Sequence, residues 1–292
     1  MVVKRVNPAA TTEDRPSGSK ERRLTKVAPH VKPVVSLPED LSVPSSALLD
    51  YTMLIYGDNK IGKTSLAAQF PDAIFLMFEA GGKALRIYQR SVGTWEEFLA
   101  YLDLLETDTR FRTVVVDTVD MAYDRCFEYM CQKLCIEHPH DEKDYGKSWG
   151  QIENEFIKQI SRLLRLQKGV LFISHSVERE TRTRGGEKFN RVEPSVSNQA
   201  ARFLTAVVDL WSYYTYVGLD RVLILRGDDY VSGGCRPVEN FIAKDGQPVQ
   251  KIPMGGDAKT AYENLVRAFE NRQPTADGKV LVVLRAQPAK LT

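Results

Sequence analysis

The stretch GDNKIGKT, Gly57 to Thr64, constrains the fold more than any other part of the chain. Two glycines bracket four residues and a Lys-Thr pair follows; an apolar run, YTMLIYG, leads in, and a short helical pattern, SLAAQF, leads out to Pro71. Glycines free the backbone so that successive N–H groups turn inward, and the start of the next helix adds its partial positive charge. Set between a strand and a helix, such a loop is built to hold a cluster of phosphate oxygens. Gly57, Asp58, Asn59, Lys60, Ile61, Gly62, Lys63, Thr64 and Ser65 form the expected cradle. Lys63 is expected to reach the β- and γ-phosphates of ATP, and the Thr64 hydroxyl to bind Mg2+.

Around this loop, apolar runs of strand length alternate with helical patterns. AIFLMFE, TVVVD and GVLFISH read as strands, and helices are expected at about 95–106, 120–136, 151–166 and 257–270. Continuous apolar strands separated by helices predict an α/β fold, a mainly parallel sheet with helices on both faces. FLTAVVDLWSYYTYV and RVLILRG, joined at Gly218, Leu219 and Asp220, read as a terminal antiparallel hairpin.

Of the 292 residues, 43% are hydrophobic and 27% charged, which excludes a disordered or fibrous class. No apolar run approaches the roughly 18 residues of a membrane helix. The first residues lack an apolar signal core, and the four cysteines have no framework spacing, so a cytoplasmic location is expected. Residues 1–33 carry eight basic against three acidic side chains, leaving the remainder of a +2 chain slightly acidic. The expected division is a basic disordered arm over 1–46, an ATPase core over 47–272, and a linker with a short C-terminal strand or tail, KVLVVLRA, over 273–292.

The strand TVVVD ends on Asp117, a carboxylate that a core tolerates only where a strand emerges at a site. It is expected to hold Mg2+; a helix cap supplied by Thr118 or Asp120 is the other reading of this segment. Hydrolysis also needs a group that deprotonates water. Glu79, at the end of AIFLMFE, fits this role, with Asp120 in reserve; capping of the next helix is the alternative for Glu79. His175, at the tip of GVLFISH, faces the same ligand edge as a γ-phosphate sensor or as a structural histidine. Cys126, Cys131, Cys135, His138 and His140 offer zinc ligand types, yet the cysteines fall at helical offsets that spread around a cylinder, so buried thiols are the default.

In this order the motifs resemble the RecA-like core of the P-loop NTPases. They are a Walker A GDNKIGKT, a glutamate ending the next strand in FLMFEAGG, a Walker B TVVVD, a polar strand tip in LFISHS, a long loop, and SVSNQAARFLTAVVDLW. DTVD, DYGKSWGQIENEF, FISHSVERE and LRGDDYVSGGCRP are similar to the compact phage ATP-binding proteins of that superfamily, which act as single-strand annealing or recombination ATPases. The likeness spans about residues 51–270.

The resemblance implies that Glu79 is the catalytic glutamate, acting with Lys63, and His175 the sensor. It also implies DNA-facing loops at about 137–150, with Lys143, Tyr145, Lys147 and Trp149, and at about 176–197, with Arg182, Arg184, Lys188, Phe189 and Arg191. Basic groups track phosphates and aromatic faces stack on bases. Both loops also carry acids, among them Asp141, Glu142, Asp144, Glu178 and Glu180, which suits a solvated surface equally. A homo-oligomer, ring or short filament, is implied, with Arg226, Arg221 or Arg202 reaching a neighbour's γ-phosphate. Single-stranded DNA and a single-strand DNA-binding protein are the implied partners, and a bacterial host cytoplasm the implied setting. The expected function is therefore ATP hydrolysis to ADP and phosphate coupled to single-stranded DNA in recombination or annealing. A small-molecule or nucleotide kinase with ERETRTRGGEKFNR as lid, and a nucleotide-gated adaptor in phage replication or packaging, are the alternatives.

Overall fold

The computed structural model of the chain describes residues 36–182 and 185–274. Two units divide the chain, 1–43 and 44–292. Of the first, residues 36–43 are exposed and form no helix or strand. The expectations for residues 1–35, for Arg184 and for KVLVVLRA lie outside the described residues.

The second unit is built on strands whose sequences are apolar throughout. β1 (Met53–Gly57), β2 (Ala73–Met77) and β4 (Thr113–Asp117) are buried at every position, as are the first six residues of β5 (Gly169–Arg182). Strands read this way when both sheet faces are covered. One face packs Leu54, Leu76, Val114, Val116 and Phe172 against α2 (Trp95–Thr107), α3 (Val119–Leu134), α4 (Lys147–Leu164) and α5 (Asn198–Val207). The other packs Ile55, Phe75, Val115 and Leu171 against α1 (Lys63–Ala67) and α6 (Ala258–Phe269). In α4 the buried Ile152, Phe156, Ile160 and Leu163 recur at helical spacing and form its core-facing stripe. α2 starts where Thr94 and Glu97 form a capping box, each satisfying a backbone N–H of the first turn.

The strand order is β10-β8-β7-β1-β5-β4-β2-β3, completed by β3 (Tyr88–Ser91), β7 (Leu210–Val217), β8 (Asp220–Ile224) and β10 (Lys251–Pro253). From β7 to β3 the strands are parallel; β8 pairs antiparallel with β7, and β10 antiparallel with β8. The mixed sheet and the β7–β8 hairpin agree with the sequence expectation. Because β5 lies between β1 and β4, four strands come together at one end of the sheet: Gly57 stands opposite His175, Asp117 opposite Ile173, and Met77 opposite Asp117.

Several segments differ from expectation. FLTAVV ends helix α5 instead of opening a strand, because the Ser197 side chain accepts the Ala200 N–H and starts a helix ahead of it. α4 begins at Lys147, within the expected first loop. The expected second loop is largely a ribbon: β5 runs on to Arg182 and pairs antiparallel with β6 (Lys188–Pro194). β3 is an edge strand of polar sequence, and β9 (Gly234–Cys235), which pairs with β7, is only two residues long, so neither carries an apolar signal.

Candidate active site

The Gly57–Thr64 loop is shaped by close backbone approach. A Cβ on Gly57 would stand 2.1 Å from the Tyr214 carbonyl oxygen of β7, so only glycine fits where β1 gives way to the loop. Gly62, by contrast, meets nothing within 4 Å; it is needed for its φ of +109°, a left-handed conformation that turns the loop into α1. Residues 58–60 are exposed, while Lys63 is buried and its Nζ donates to the carbonyls of Gly57 (2.7 Å) and Asp58 (2.9 Å). Burial pushes the Lys63 pKa down, and the carboxylates of Asp117, Asp120, Asp58 and Glu79 oppose the shift. A second tie runs from the Ser176 hydroxyl of β5 to Asp58 Oδ1 at 2.8 Å.

Beside the loop the Thr64 hydroxyl donates to Asp117 Oδ2 at 2.7 Å. Asp117 is buried, and its pKa is pushed up by desolvation against the lowering effect of that hydrogen bond. Two hard oxygen donors, one anionic, thus meet at the mouth of a glycine cradle, a set that suits Mg2+. Thr64 and Asp117 would hold the ion, and Lys63 with the loop N–H groups the phosphates.

Glu79, two residues beyond β2, is held from two sides. The Thr118 hydroxyl donates to Oε1 at 2.8 Å, and His175 Nε2 lies 3.0 Å from Oε1 and 3.2 Å from Oε2. About a third of each side chain of this Glu–His pair is exposed, so the carboxylate is fixed yet open to water. Thr118 is the N-cap residue of α3, but its side chain makes no cap hydrogen bond. His175 Nδ1 is buried and has no partner among the described residues, consistent with the proton residing on Nε2.

Asp120, the reserve for water activation, is committed elsewhere. It accepts from the Ser174 hydroxyl (2.6 Å) and the His175 N–H (2.8 Å), which anchors the point where β5 leaves the sheet. Burial raises its pKa. These links were not legible in the sequence, because they join residues 54 and 55 positions apart. The Thr of TVVVDT was the available signal for Thr118.

The expected DNA-facing residues are dispersed. Lys143, Tyr145 and Lys147 are exposed around the start of α4. Trp149 is half-buried instead, its ring 5.8 Å from Phe127 and 5.5 Å from His138, so stacking on a base would require it to leave that cluster. On the ribbon Arg182 is exposed, but Lys188 pairs with Glu180 at 2.8 Å, Arg191 lies 4.0 Å from Glu193, and Phe189 packs edge-on against Tyr230. Arg221 lies beyond the carboxyl end of β1, donating to the Tyr216 hydroxyl and the Gly256 carbonyl. Arg202 is exposed on α5. Arg226 follows β8 toward the amino end of β7, and its Nε is buried without a partner among the described residues, which does not suit a freely reaching finger. Cys126 and Cys131 are buried and Cys135 exposed; among the described residues no three His, Cys, Asp or Glu side chains converge as metal ligands.

Residues 49–245, more than half of the chain, match the family model described as AAA domain. The chain belongs to this family of P-loop ATPases. The matched span runs from the residues just before β1 past β9, so it contains the glycine loop, Glu79, Asp117 and His175. Membership implies nucleotide binding. The chain is also 27% identical over 144 residues to the SPbeta prophage-derived uncharacterized protein YorG of Bacillus subtilis (strain 168), a match covering 47% of this chain and 45% of that protein. The chain thus aligns with less than half the length of this relative. Among the described residues no helix is long and apolar enough to cross a membrane.

Proposed function

We propose that this AAA-domain chain hydrolyses ATP to ADP and phosphate with Glu79 as the water-activating base, and couples that reaction to single-stranded DNA in recombination or annealing. The observation that carries the reading is the Glu79 carboxylate, held by Thr118 and His175 next to the Thr64–Asp117 pair. Glu79 accepts a proton from water as the new P–O bond forms, and the bond between the γ-phosphorus and the bridging oxygen breaks to release ADP. Lys63 stabilises charge on the phosphate oxygens. Mg2+ supplies further charge neutralisation when bound.

His175 supports a coupling role. Its imidazole contacts Glu79, its N–H is fixed by Asp120, and its carbonyl accepts the Ser195 N–H at 2.9 Å, just beyond the far end of β6. Ser176, the next residue, binds the loop through Asp58. A change at the γ-phosphate therefore has a short covalent and hydrogen-bonded route to the β5–β6 ribbon. Lys143, Tyr145, Lys147 and Arg182, exposed on the two expected DNA segments, are the groups proposed to meet the strand. Arg221 and Arg202 are the groups proposed to reach a neighbouring copy in a homo-oligomer.

The test is ATP turnover with and without a single-stranded oligo(dT), alongside binding of the same oligonucleotide across a salt series. Stimulated turnover with salt-sensitive binding is expected. Turnover that ignores the oligonucleotide, together with no salt-sensitive binding, removes the DNA half of the proposal.

A further inference from the structure

Several of the described cations on the ribbon are engaged within the protein. Lys188 is paired with Glu180, and Arg179 donates to the carbonyls of Ser195 and Val196 and to Asn198. The opposite situation holds at the far edge of the sheet. β3 ends the strand order, so among the described residues one of its two edges has no neighbouring strand. Arg86, just ahead of it, and Tyr88 and Arg90 on it are exposed, and neither arginine has a carboxylate within ion-pair distance among the described residues.

Tyr88 and Arg90 project to the same face, about 6.6 Å apart along the strand. A third arginine is brought to them from the loop before β4. The Arg110 guanidinium stacks over the Tyr88 ring at 4.2 Å from its centroid, and lies 5.0 Å from that of Phe111. This exposed cation–π contact holds the charge in place at the surface. Of the acids on neighbouring segments, Glu97 closes the capping box of α2 and Asp108 binds Lys168 and the Phe111 N–H, while Asp72 and Glu96 are exposed and form no ion pair with these arginines among the described residues. Charge on an edge strand also deters strand pairing. That purpose does not call for Arg110, which lies off the strand and is carried onto an aromatic ring.

We propose that Arg86, Tyr88, Arg90 and Arg110 form a contact surface for the sugar-phosphate backbone of single-stranded DNA, separate from the ribbon. Three guanidiniums with no ion pair among the described residues, one of them stacked on an exposed aromatic ring, match an extended polyanion with stackable bases. The inference rests on the DNA-coupled reading above.

The experiment uses the full chain and a fluorescein-labelled oligo(dT), with anisotropy read from low to high salt. The Arg86→Ala/Arg90→Ala/Arg110→Ala variant is compared with wild type and with Arg182→Ala/Lys188→Ala, and thermal melting controls for folding. Each lost phosphate contact on a single strand flattens the log-log salt slope by about 0.7, so three contacts flatten it by about 2. At ~0.1 M salt that corresponds to a loss on the order of a hundredfold. A smaller change is expected for the ribbon variant. If wild type binds and the triple variant binds equally well with the same slope, the β3 surface is refuted while the DNA-coupled reading stands; an acidic protein partner at this edge would give the same overturning result. If wild type does not bind at all, both fall. Should a single-substitution set be needed because the triple variant melts early, Arg90→Ala and Arg86→Ala are each expected to flatten the slope by about 0.7, and no change in either overturns the proposal.

Discussion

Replacing Thr118 by Val tests how Glu79 is positioned. The substitution keeps the shape of a side chain that is only 1% exposed and removes one hydroxyl, the donor of the 2.8 Å bond to Glu79 Oε1. A hydrogen bond to a carboxylate contributes about 1.5–3 kcal/mol. Glu79 retains His175, and about a third of its side chain is open to water, so the lower end applies and the loss is about 1.5 kcal/mol. If the bond orients the base for its proton transfer, that loss appears in the barrier and kcat falls about tenfold. KM stays unchanged, because Thr118 donates to Glu79 and makes no bond to residues 57–65. In a Glu79→Gln background the same change adds little, since both substitutions disable one unit. Steady-state kinetics of the single and double variants read all three quantities. A normal kcat in Thr118→Val, or a second full tenfold loss in the double variant, would refute this role.

Two further outcomes follow from the geometry. Gly57→Ala drives a Cβ into the Tyr214 carbonyl and costs about 1–3 kcal/mol or more, whereas Gly62→Ala meets only backbone strain of about 1–2 kcal/mol; denaturant midpoints should rank them in that order, and the reverse would show the β1–β7 approach to be adjustable. Asp120→Asn turns an amide N–H2 toward either the Ser174 hydroxyl or the His175 N–H and costs about 1–3 kcal/mol. Because burial raises the Asp120 pKa above the ordinary 3.8, its titration favours the fold most below 3.8, and this contribution is lost as pH rises through the folded-state value. The stability gap between wild type and Asp120→Asn, followed by urea unfolding, should narrow as pH rises from 3.8. A gap that widens over this range contradicts the burial of that charge.

The sheet was legible wherever burial wrote a continuous apolar run. TVVVD coincides with β4, and AIFLM and GVLFIS lie within β2 and β5. It was illegible where a strand is solvated, as in Tyr88–Ser91 at the edge and Lys188–Pro194 in the ribbon, because alternation there runs between polar residue types. FLTAVV misled because a short apolar run reads equally as strand or helix, and the Ser197 cap decides it. In the site, motif spacing led to Lys63, Thr64 and Asp117, which the fold brings together. The Glu79–His175 contact spans 96 positions and depends on β5 inserting between β1 and β4, a topological fact that no local pattern carries.

The central claim is that Glu79 acts on water while the glycine loop acts on phosphate. Measured on one preparation, the Mg2+-dependent ATP affinity and the turnover of Glu79→Gln separate these roles. Turnover should fall by about 10²–10⁴-fold, the usual contribution of a general base, with affinity held within a few-fold of wild type. Turnover that survives the substitution, or affinity that disappears with it, would contradict the assignment.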